Sequence, residues 1–400
     1  MKLNLPKKFP KFRFDKHFPI IIILLIVIGV GYFLFNNKVM GLQNLVSNLT
    51  QEKDKNLVEL EKIGTELDTL KNQDQLKRND ELQNQIQNIE KSYDKAVLTY
   101  ESLLNLKVKT QNTKELDNLF AKALSELSKR DFNAADSTLS QLSSKIDEED
   151  KKIAASITIP QNVPESNAAP SSGYSRQSVN VEGLGSYMVS MVAGDLGSTR
   201  VIVDTAADSD CTNDCPTLPL ASYVSRNGAF AGVNGTYFCP ADYPSCAGKT
   251  NTFDLLVMNH KKTYFNSGNN VYSNNPAVIF GGSYIRFVGQ VSQWGRDTGI
   301  DSMLSNFPML VQGGNIAFGG DDDPKKGSKG ARSFVANKGN TVYIGVVHNA
   351  TVAESARVLK TLGMENGLNL DDGGSTALWS GGYKVGPGRN LPNVILFARK

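Results

Sequence analysis

The chain has 400 residues, of which 40% are hydrophobic and 21% are charged, and its formal net charge is +3 at pH 7. This length is more than one compact core usually holds, so two or more structural units are expected. The nearly balanced charge gives no case for a nucleic-acid partner.

The N-terminal segment joins a basic tail to a long apolar run. Residues 1–17 carry lysine and arginine, and the run over residues 18–36 has no charged residue. Such a run is long enough to cross a hydrocarbon core of ~30 Å. We expect a signal anchor in the lipid bilayer, with residues 1–17 cytoplasmic and the C-terminal domain extracytoplasmic. A cleaved signal peptide is the alternative, although the run lacks an A-x-A-like site.

Residues 42–155 predict a helical coiled-coil and hairpin stalk. Apolar residues step by three and four from Leu60 to Leu70 and again from Leu82 to Leu103, as in a coiled-coil seam that joins copies of a chain. The alternative is one amphipathic helix that folds back as a hairpin. Thr113 to Ile153 predicts a helical hairpin. Residues 156–178, rich in Ser, Pro and Asn, predict a flexible linker.

Four cysteines lie in one part of the expected exterior domain. They are Cys211, Cys215, Cys239 and Cys246. An even number in an oxidising compartment predicts two disulfides, with short-range pairing preferred among three connectivities. A zinc site is the alternative, but the spacing is looser than that of usual zinc ribbons.

Residues 179–400 change to the period of two that indicates strands. The predicted strands are Tyr187–Val192, Arg200–Asp204, Ala229–Val233, Leu255–Met258, Val278–Phe280, Ile285–Val288, Met309–Val311, Ser333–Ala336, Val342–Val347 and Val394–Ala398. Thr351 to Leu362 is the one clear helix in this region. The fold class is therefore α+β: a C-terminal mixed β-sheet domain with few helices, preceded by a transmembrane helix and an α-helical coiled-coil and hairpin region.

Two glycine-containing segments carry the chemistry. Asn369–Thr376 ends an apolar run in two aspartates, two glycines and two hydroxyl residues, and Gly232–Phe238 follows another apolar run. Glycine lets the backbone approach a ligand closely. A polar site at the ends of strands is expected, of a size to hold a sugar or a phosphate.

In order and spacing, six segments resemble the phosphodiester glycosidase family, over roughly the last half of the chain. They are Asn234–Phe238, Pro308–Gly314, Arg332–Val335, Glu354 in its helix, Leu370–Thr376 and Arg389–Val394. There are two departures. Asp372 replaces the first glycine of a triple, and His348-Asn349 stands where members often have an acidic residue and glycine. These changes are expected to affect the part of the site that contacts the substrate, and so which substrate it binds.

The resemblance implies hydrolysis of a sugar phosphodiester. Such a site needs a carboxylate at the anomeric carbon and cations for the phosphate, since a guanidinium matches two phosphate oxygens. The catalytic candidates are Asp371, Arg332 and Asn234. The substrate-binding candidates are Asp372, Gly373, Gly374, Ser375, Thr376, Tyr237, Gly235, Arg389, His348 and Glu354. The ordinary alternatives are a structural histidine at His348 and a helix ion pair at Glu354.

No cofactor is required by these motifs. Calcium takes oxygen ligands, so the run Asp321-Asp322-Asp323 is a weak calcium candidate, with a solvated turn as the alternative. The sequence thus predicts a membrane-anchored extracytoplasmic hydrolase of a glycosyl–phosphodiester linkage in a surface glycan or polysaccharide. The alternative is a non-catalytic glycan-binding or envelope structural protein on a helical stalk.

Overall fold

The computed structural model describes residues 18–71, 74–270, 272–297 and 299–400. The predicted cytoplasmic tail, residues 1–17, lies outside the described residues. The chain divides into two compact units, Met1–Asn88 and Ile89–Lys400. In the first unit the described residues are helical, and the second unit combines helices with the described strands.

The first unit contains α1 (Phe18–Lys71) and the beginning of α2 (Asp74–Lys109). Among the described helices, α1 alone is long and apolar enough, from Ile23 onward, to cross a membrane. Its large apolar side chains between Ile23 and Phe35 are exposed, as the lipid-facing side chains of a spanning helix would be. A signal sequence has the same character, so the retained anchor stays a prediction.

From Ile89 onward α2 packs against α3 (Lys114–Ser128) and α4 (Phe132–Ser156). Their buried apolar residues form two clusters, Ala96, Ala123, Leu127, Ala135 and Leu139, and Leu103, Leu106, Leu116, Leu142 and Ile146. The predicted helical hairpin is confirmed. The end of the second predicted seam is corrected, because Ala96 and Leu103 pack on this hairpin and are unavailable to another chain.

The β-structure is antiparallel throughout the described sheets. In chain order the strands are β1 (Gly173–Val181), β2 (Gly185–Asp195), β3 (Thr199–Thr205), β4 (Ala231–Asn234), β5 (Val257–Met258), β6 (Tyr264–Phe265), β7 (Ala277–Phe280), β8 (Ile285–Val288), β9 (Ser302–Ser305), β10 (Met309–Gln312), β11 (Asn315–Ile316), β12 (Gly330–Lys338), β13 (Thr341–Ala350), β14 (Asn366–Asn369), β15 (Leu378–Ser380), β16 (Tyr383–Val385) and β17 (Asn393–Arg399). Each of the ten strands expected from the sequence overlaps one of these.

Three sheets arrange these strands. Their orders are β1-β2-β13-β12-β14-β10-β11, β16-β15-β4-β17-β3, and β6-β5-β9-β7-β8. One hydrophobic cluster contains buried residues of all three sheets, including Val335, Ile395 and Val278. The main core therefore lies where the inner faces of the sheets meet. The predicted α+β class is confirmed.

Four further helices belong to this unit. They are α5 (Leu220–Arg226), α6 (Ser267–Asn270), α7 (Pro324–Gly327) and α8 (Val352–Thr361). The longest of these four, α8, begins with a capping box. The Thr351 hydroxyl accepts from the Glu354 N–H, and the Glu354 carboxylate accepts from the Thr351 N–H. Its buried face, including Ala356 and Leu359, packs on the largest sheet in a second core.

The predicted linker and stalk boundaries require correction. β1 begins at Gly173 and pairs with β2 along its whole length, so the flexible linker over residues 156–178 is wrong from Gly173 onward. The Gln177 side chain is buried there and donates to the carbonyls of Ser166 and Ala168 at 2.8 and 2.9 Å. Buried polar side chains such as Gln177 mask the alternation of apolar and polar residues by which a strand is recognised in the sequence. The helical residues from Ile89 onward belong to the same compact unit as the sheets. The predicted stalk, residues 42–155, therefore does not form a separate unit over this part.

Candidate active site

The two glycine-containing segments meet at the ends of strands β4 and β14. The backbone N–H of Asp371 donates to the Gly235 carbonyl at 2.9 Å, and the Asn234 side-chain amide donates to the Asp371 carbonyl at 2.6 Å. Residues 137 positions apart in the chain are thus in direct contact. The contact fixes the backbone that carries the Asp371 carboxyl group.

Asn234 lies beneath the site rather than in it. The side chain is fully buried, and its oxygen accepts from the Ser333 hydroxyl at 2.8 Å and from the Ala377 N–H at 3.1 Å. Its amide is therefore occupied by the protein. This catalytic candidate is therefore better placed to position Asp371 than to contact a ligand.

Gly235 is required by close packing. A Cβ atom at this position would stand 1.8 Å from the Asn393 Oδ1 atom and 2.9 Å from the Asn393 carbonyl oxygen. Real atoms do not approach so closely, so only glycine fits here. Gly235 therefore shapes the turn beneath Asp371 and offers no side chain to a ligand.

Asp371 is the half-buried carboxyl group of the site. Burial raises its pKa to about 7, and the neighbouring Asp372 carboxylate also raises it, whereas Ser375, Arg389 and the Asp372 N–H lower it. The Asp372 N–H donates to Asp371 Oδ1 at 2.9 Å. A carboxyl group with this pKa can accept or release a proton near neutral pH.

Asp372 points into the protein and is held by three donors. Its Oδ2 atom accepts from Arg332 at 3.2 Å and from Asn369 at 2.9 Å, and its Oδ1 atom accepts from the Ser333 N–H at 3.0 Å. Burial raises the pKa of Asp372, while Arg332, Asn369 and the Ser333 N–H oppose that effect. With its oxygens occupied, Asp372 is better suited to shaping the site than to contacting a sugar.

Arg332 is the buried counterion of Asp372. The residue is 6% exposed, and besides Asp372 its guanidinium donates to the carbonyls of Ala350 and Lys325 at 3.0 Å and to that of Ser328. These contacts hold it inside the protein. The sequence-based expectation of a phosphate clamp at Arg332 therefore gives way to a supporting role.

Arg389 is the accessible cation beside Asp371. Its side chain is 20% exposed, lies 3.8 Å from Asp242, and contacts the Ser375 hydroxyl at 3.4 Å. The guanidinium also lies over the Tyr243 ring, 5.5 Å from its centroid. A Cβ on Gly374 would come within 2.9 Å of this guanidinium. Of the two arginines predicted as phosphate ligands, Arg389 is thus the one whose guanidinium remains accessible to an anion.

The turn after Asp372 brings small residues to the same place. Gly373–Ser375 form a 3-10 turn, and Gly373 has a φ of +61° that favours glycine. Gly373 is exposed, whereas Ser375 and Thr376 are buried. The Thr376 hydroxyl donates to the Ala331 carbonyl at 3.3 Å. The glycines therefore form the exposed edge, and the hydroxyl residues support it.

Tyr237 adds an aromatic wall. Its ring is half-buried, 5.1 Å from the Phe307 ring, and its hydroxyl oxygen accepts from the Asn369 amide at 2.8 Å. Burial raises the pKa of Tyr237, and the charges of Asp372 and Asp371 add to this effect. The tyrosine remains neutral and presents an O–H group near both carboxyl groups.

Sequence reasoning missed three residues of this neighbourhood. Asn369 links Tyr237 to Asp372, and Asp242 and Tyr243 flank Arg389. The signal for Asn369 was a polar residue between Leu368 and Leu370, at the end of a mostly buried strand. For Asp242 and Tyr243 the signal was their position between Cys239 and Cys246, which closes the loop that carries them.

Two other predicted residues belong elsewhere. His348 lines a separate cavity of about 120 Å³ with Tyr187 and Lys329, and its Nε2 atom lies 2.9 Å from the Ser190 hydroxyl. Burial lowers the pKa of His348 to about 4, helped by the charge of Arg176. Glu354 caps α8 and pairs with Lys329 at 2.7 Å. The structural alternative therefore describes His348, whereas Glu354 is structural through its cap and Lys329 rather than through the expected ion pair along its helix.

The predicted disulfides are confirmed as Cys211–Cys215 and Cys239–Cys246. Two of the three calcium candidates are otherwise engaged, because Asp321 and Asp323 pair with Lys326 and Asp323 also caps α7. Within the described ranges, no group of three or more His, Cys, Asp or Glu side chains is arranged to hold a metal ion.

Residues 227–398 match the sequence profile of the phosphodiester glycosidase family. This region is similar to phosphodiester glycosidase domains, and the resemblance that its motifs predicted is confirmed. It contains Asp371, Asp372, Arg389 and the Asn234–Phe238 segment. No curated protein matches the chain.

Solved structures resemble the chain at low identity. A hypothetical protein from Synechocystis is 15% identical, with a TM-score of 0.42 over 57% of this chain and 62% of that one. The chain therefore spans less than two thirds of that protein. The catalytic domain of zebrafish N-acetylglucosamine-1-phosphodiester alpha-N-acetylglucosaminidase, auto-inhibited by its pro-peptide, is 14% identical, with a TM-score of 0.44 over 60% and 87% of the two chains.

Proposed function

We propose that the phosphodiester glycosidase domain hydrolyses a glycosyl–phosphodiester linkage in a surface glycan or polysaccharide. One observation carries this proposal: a half-buried Asp371 whose pKa is raised to about 7 stands beside the accessible Arg389 guanidinium. A proton acceptor next to an anion-binding cation is what attack at a sugar–phosphate bond requires.

The proposed reaction divides the work between these two groups. A water molecule attacks the anomeric carbon and gives its proton to Asp371 as the bond from carbon to phosphate oxygen breaks. The electron pair leaves with that oxygen, so the products are the free sugar and a phosphomonoester. Arg389 binds the departing phosphate, and the exposed Gly373–Gly374 edge lets it approach the backbone.

The leaving group explains why one accessible carboxyl group is enough. Ordinary glycosidases use a second carboxylic acid to protonate the departing oxygen. A phosphate monoester is a weak base and leaves without that help. Asp372 already accepts hydrogen bonds from Arg332, Asn369 and the Ser333 N–H. It therefore supports the site and takes no direct part in the proposed reaction.

The proposed location is the outer side of a membrane. The basic residues before the apolar part of α1 favour a cytoplasmic N-terminus. The two disulfides are typical of a domain that folds in an oxidising compartment. We infer a single-pass protein that holds its glycosidase domain near surface polymers.

The proposal is tested by assaying the purified full chain in detergent on a panel of sugar 1-phosphodiesters. Asp371→Asn should lower turnover by about 10²–10⁴-fold, the usual contribution of a positioned acid or base. Asp208→Asn is the matched control, because Asp208 is exposed and pairs only with surface Lys261 among its described contacts. Absence of turnover by the unaltered protein, with glycan binding retained in Asp371→Asn, would select the non-catalytic binding module instead.

A further inference from the structure

The α1 helix carries an unbroken heptad face beyond its membrane segment. Steps of four and three residues connect Leu42, Val46, Leu49, Lys53, Asn56, Leu60, Ile63, Leu67 and Leu70. We call this set the α1 seam. It covers four heptads, about 40 Å of helix at 1.5 Å per residue. In heptad notation Val46, Lys53, Leu60 and Leu67 take position a, and the others take position d.

The apolar members of the α1 seam have no cover within the described residues of the first unit. Leu42 is 60% exposed, Leu60 65% and Leu67 49%, and the remaining apolar members lie within that range. The start of α2 offers no cover, because Leu76, Leu82 and Ile86 are themselves exposed. The alternative of an intramolecular hairpin is therefore disfavoured. A stripe of this length requires a partner.

Charges beside the α1 seam identify the partner and its direction. The g positions are Leu45, Glu52, Glu59 and Glu66, and the e positions that follow them are Thr50, Leu57, Gly64 and Lys71. In a parallel pair each g residue faces the next e residue of the other helix, so Glu66 meets Lys71 of the second copy. In an antiparallel pair g would face g, and glutamates would oppose glutamates.

The polar pair inside the α1 seam fixes the register. Lys53 and Asn56 interrupt the apolar core, and a shift by one heptad would place each of them against an apolar residue of the other helix, at the cost of an unpaired polar group. In register, Lys53 lies beside Glu52 of the second copy. Polar residues in a few core layers, here the adjacent layers of Lys53 and Asn56, specify alignment at some cost in stability.

We propose that the α1 seam binds the α1 seam of a second copy in a parallel, in-register, two-stranded coiled coil. A common N-terminal membrane face for the two copies agrees with this direction. The inference concerns the helix alone and does not depend on the proposed hydrolase activity.

Cysteine crosslinking of the full chain tests the pairing. All four natural cysteines are in disulfides, so one introduced cysteine is the only free thiol. The chain is purified in detergent with micelles in large excess and oxidised mildly. Val46→Cys and Leu67→Cys should each give a covalent dimer. An antiparallel pair could place at most one of these positions against its own copy.

Matched controls lie on the outer face of the same turns. Asn48→Cys and Thr65→Cys occupy positions c and f and should crosslink at least about tenfold less. Equal crosslinking of seam and control positions, or a monomer or higher oligomer by sedimentation, would overturn the proposal.

A charge exchange tests direction separately. Glu66→Lys should weaken dimerisation on the order of fivefold, because two like-charged contacts replace two ion pairs. Glu66 also lies 3.9 Å from Lys62 of its own helix, a weak exposed pair. Adding Lys71→Glu to Glu66→Lys should restore the affinity. Failure of this rescue would contradict the parallel register.

Discussion

At the scale of single residues, the site depends on the different surroundings of two adjacent carboxyl groups. Asp372 receives three hydrogen bonds, one from a buried arginine, and is fixed in place. Asp371 lies beside it with fewer donors, and burial raises its pKa to about 7. Proteins assign acid and base roles to paired carboxyl groups by placing them in environments that move their pKa values apart. The geometry therefore points to Asp371 as the reacting group.

The pH dependence of turnover follows from this pKa. If Asp371 acts as a base, it works when ionised, so kcat/KM should rise with pH through a midpoint near pH 7 and level off about one pH unit higher. Arg389 lowers the pKa of Asp371 by favouring the charged form. Arg389→Gln should therefore move the midpoint of the rising limb upward by about half to one pH unit, besides lowering kcat/KM. The measurement is a kcat/KM profile against pH.

Arg286→Gln is the control for this profile, because Arg286 is exposed and contacts the Trp294 carbonyl at 3.5 Å. Its midpoint should match that of the unaltered protein. A midpoint for Arg389→Gln that stays in place or moves to lower pH would show that Arg389 does not act on the ionising group.

At the scale of elements, strand ends and tight turns place the site. β4 ends at Asn234 and β14 at Asn369, and the turns that follow contact each other through Gly235 and Asp371. β4 and β14 belong to different sheets. The site is thus built where two sheets meet, and the glycine permits the close approach.

Gly235→Ala should destabilise the fold. The added methyl group would overlap Asn393, including its backbone, and neighbouring strands would have to separate. The expected loss in free energy of unfolding is about 2–3 kcal/mol, measured by urea denaturation. Gly282→Ala is the control, since a Cβ there meets nothing within 4 Å and should change stability by less than about 0.5 kcal/mol. Similar effects for both variants would refute the steric explanation.

At the scale of the whole molecule, the helical region supports the loops around the site. Glu101 of α2 is 1% exposed, accepts from the Ser245 N–H at 3.2 Å and lies 3.6 Å from Lys325. Asn105 of the same helix accepts from the Tyr243 hydroxyl. Tyr243 lies under Arg389, and the Lys325 carbonyl binds Arg332. One helix therefore contacts both loops that hold the site's arginines.

Glu101→Gln should loosen these loops without unfolding the domain. A buried side chain loses its ion pair, at a cost of about 1–3 kcal/mol. Amide hydrogen exchange in residues 239–246 and 324–329 should become faster, while exchange in β12 and β13 stays unchanged. Glu90→Gln, an exposed position on the same helix, serves as the control. Unchanged exchange in both loops of Glu101→Gln would show that α2 gives them no support.

Local patterns were enough for ten of the seventeen described strands and for the chemistry of the turns, but not for short strands such as β9 and β15. The period-two segments predicted strands, the apolar face of Thr351–Leu362 predicted α8, and the even cysteine count predicted the two disulfides. The motif from Leu370 to Thr376 indicated Asp371, the carboxyl group that we propose as the reacting one. Each of these signals is carried by residues close together in the chain, because backbone periodicity and turn geometry are local properties.

The tertiary structure alone decided which candidate side chains face outward. Asn234 and Arg332 carry the right chemistry but are buried beneath the site, whereas Arg389 remains accessible. It also decided that Gln177 lies in a strand and that α2 from Ile89 onward packs with the sheets. Burial depends on partners far away in the chain, and a residue's own sequence neighbourhood does not encode those partners.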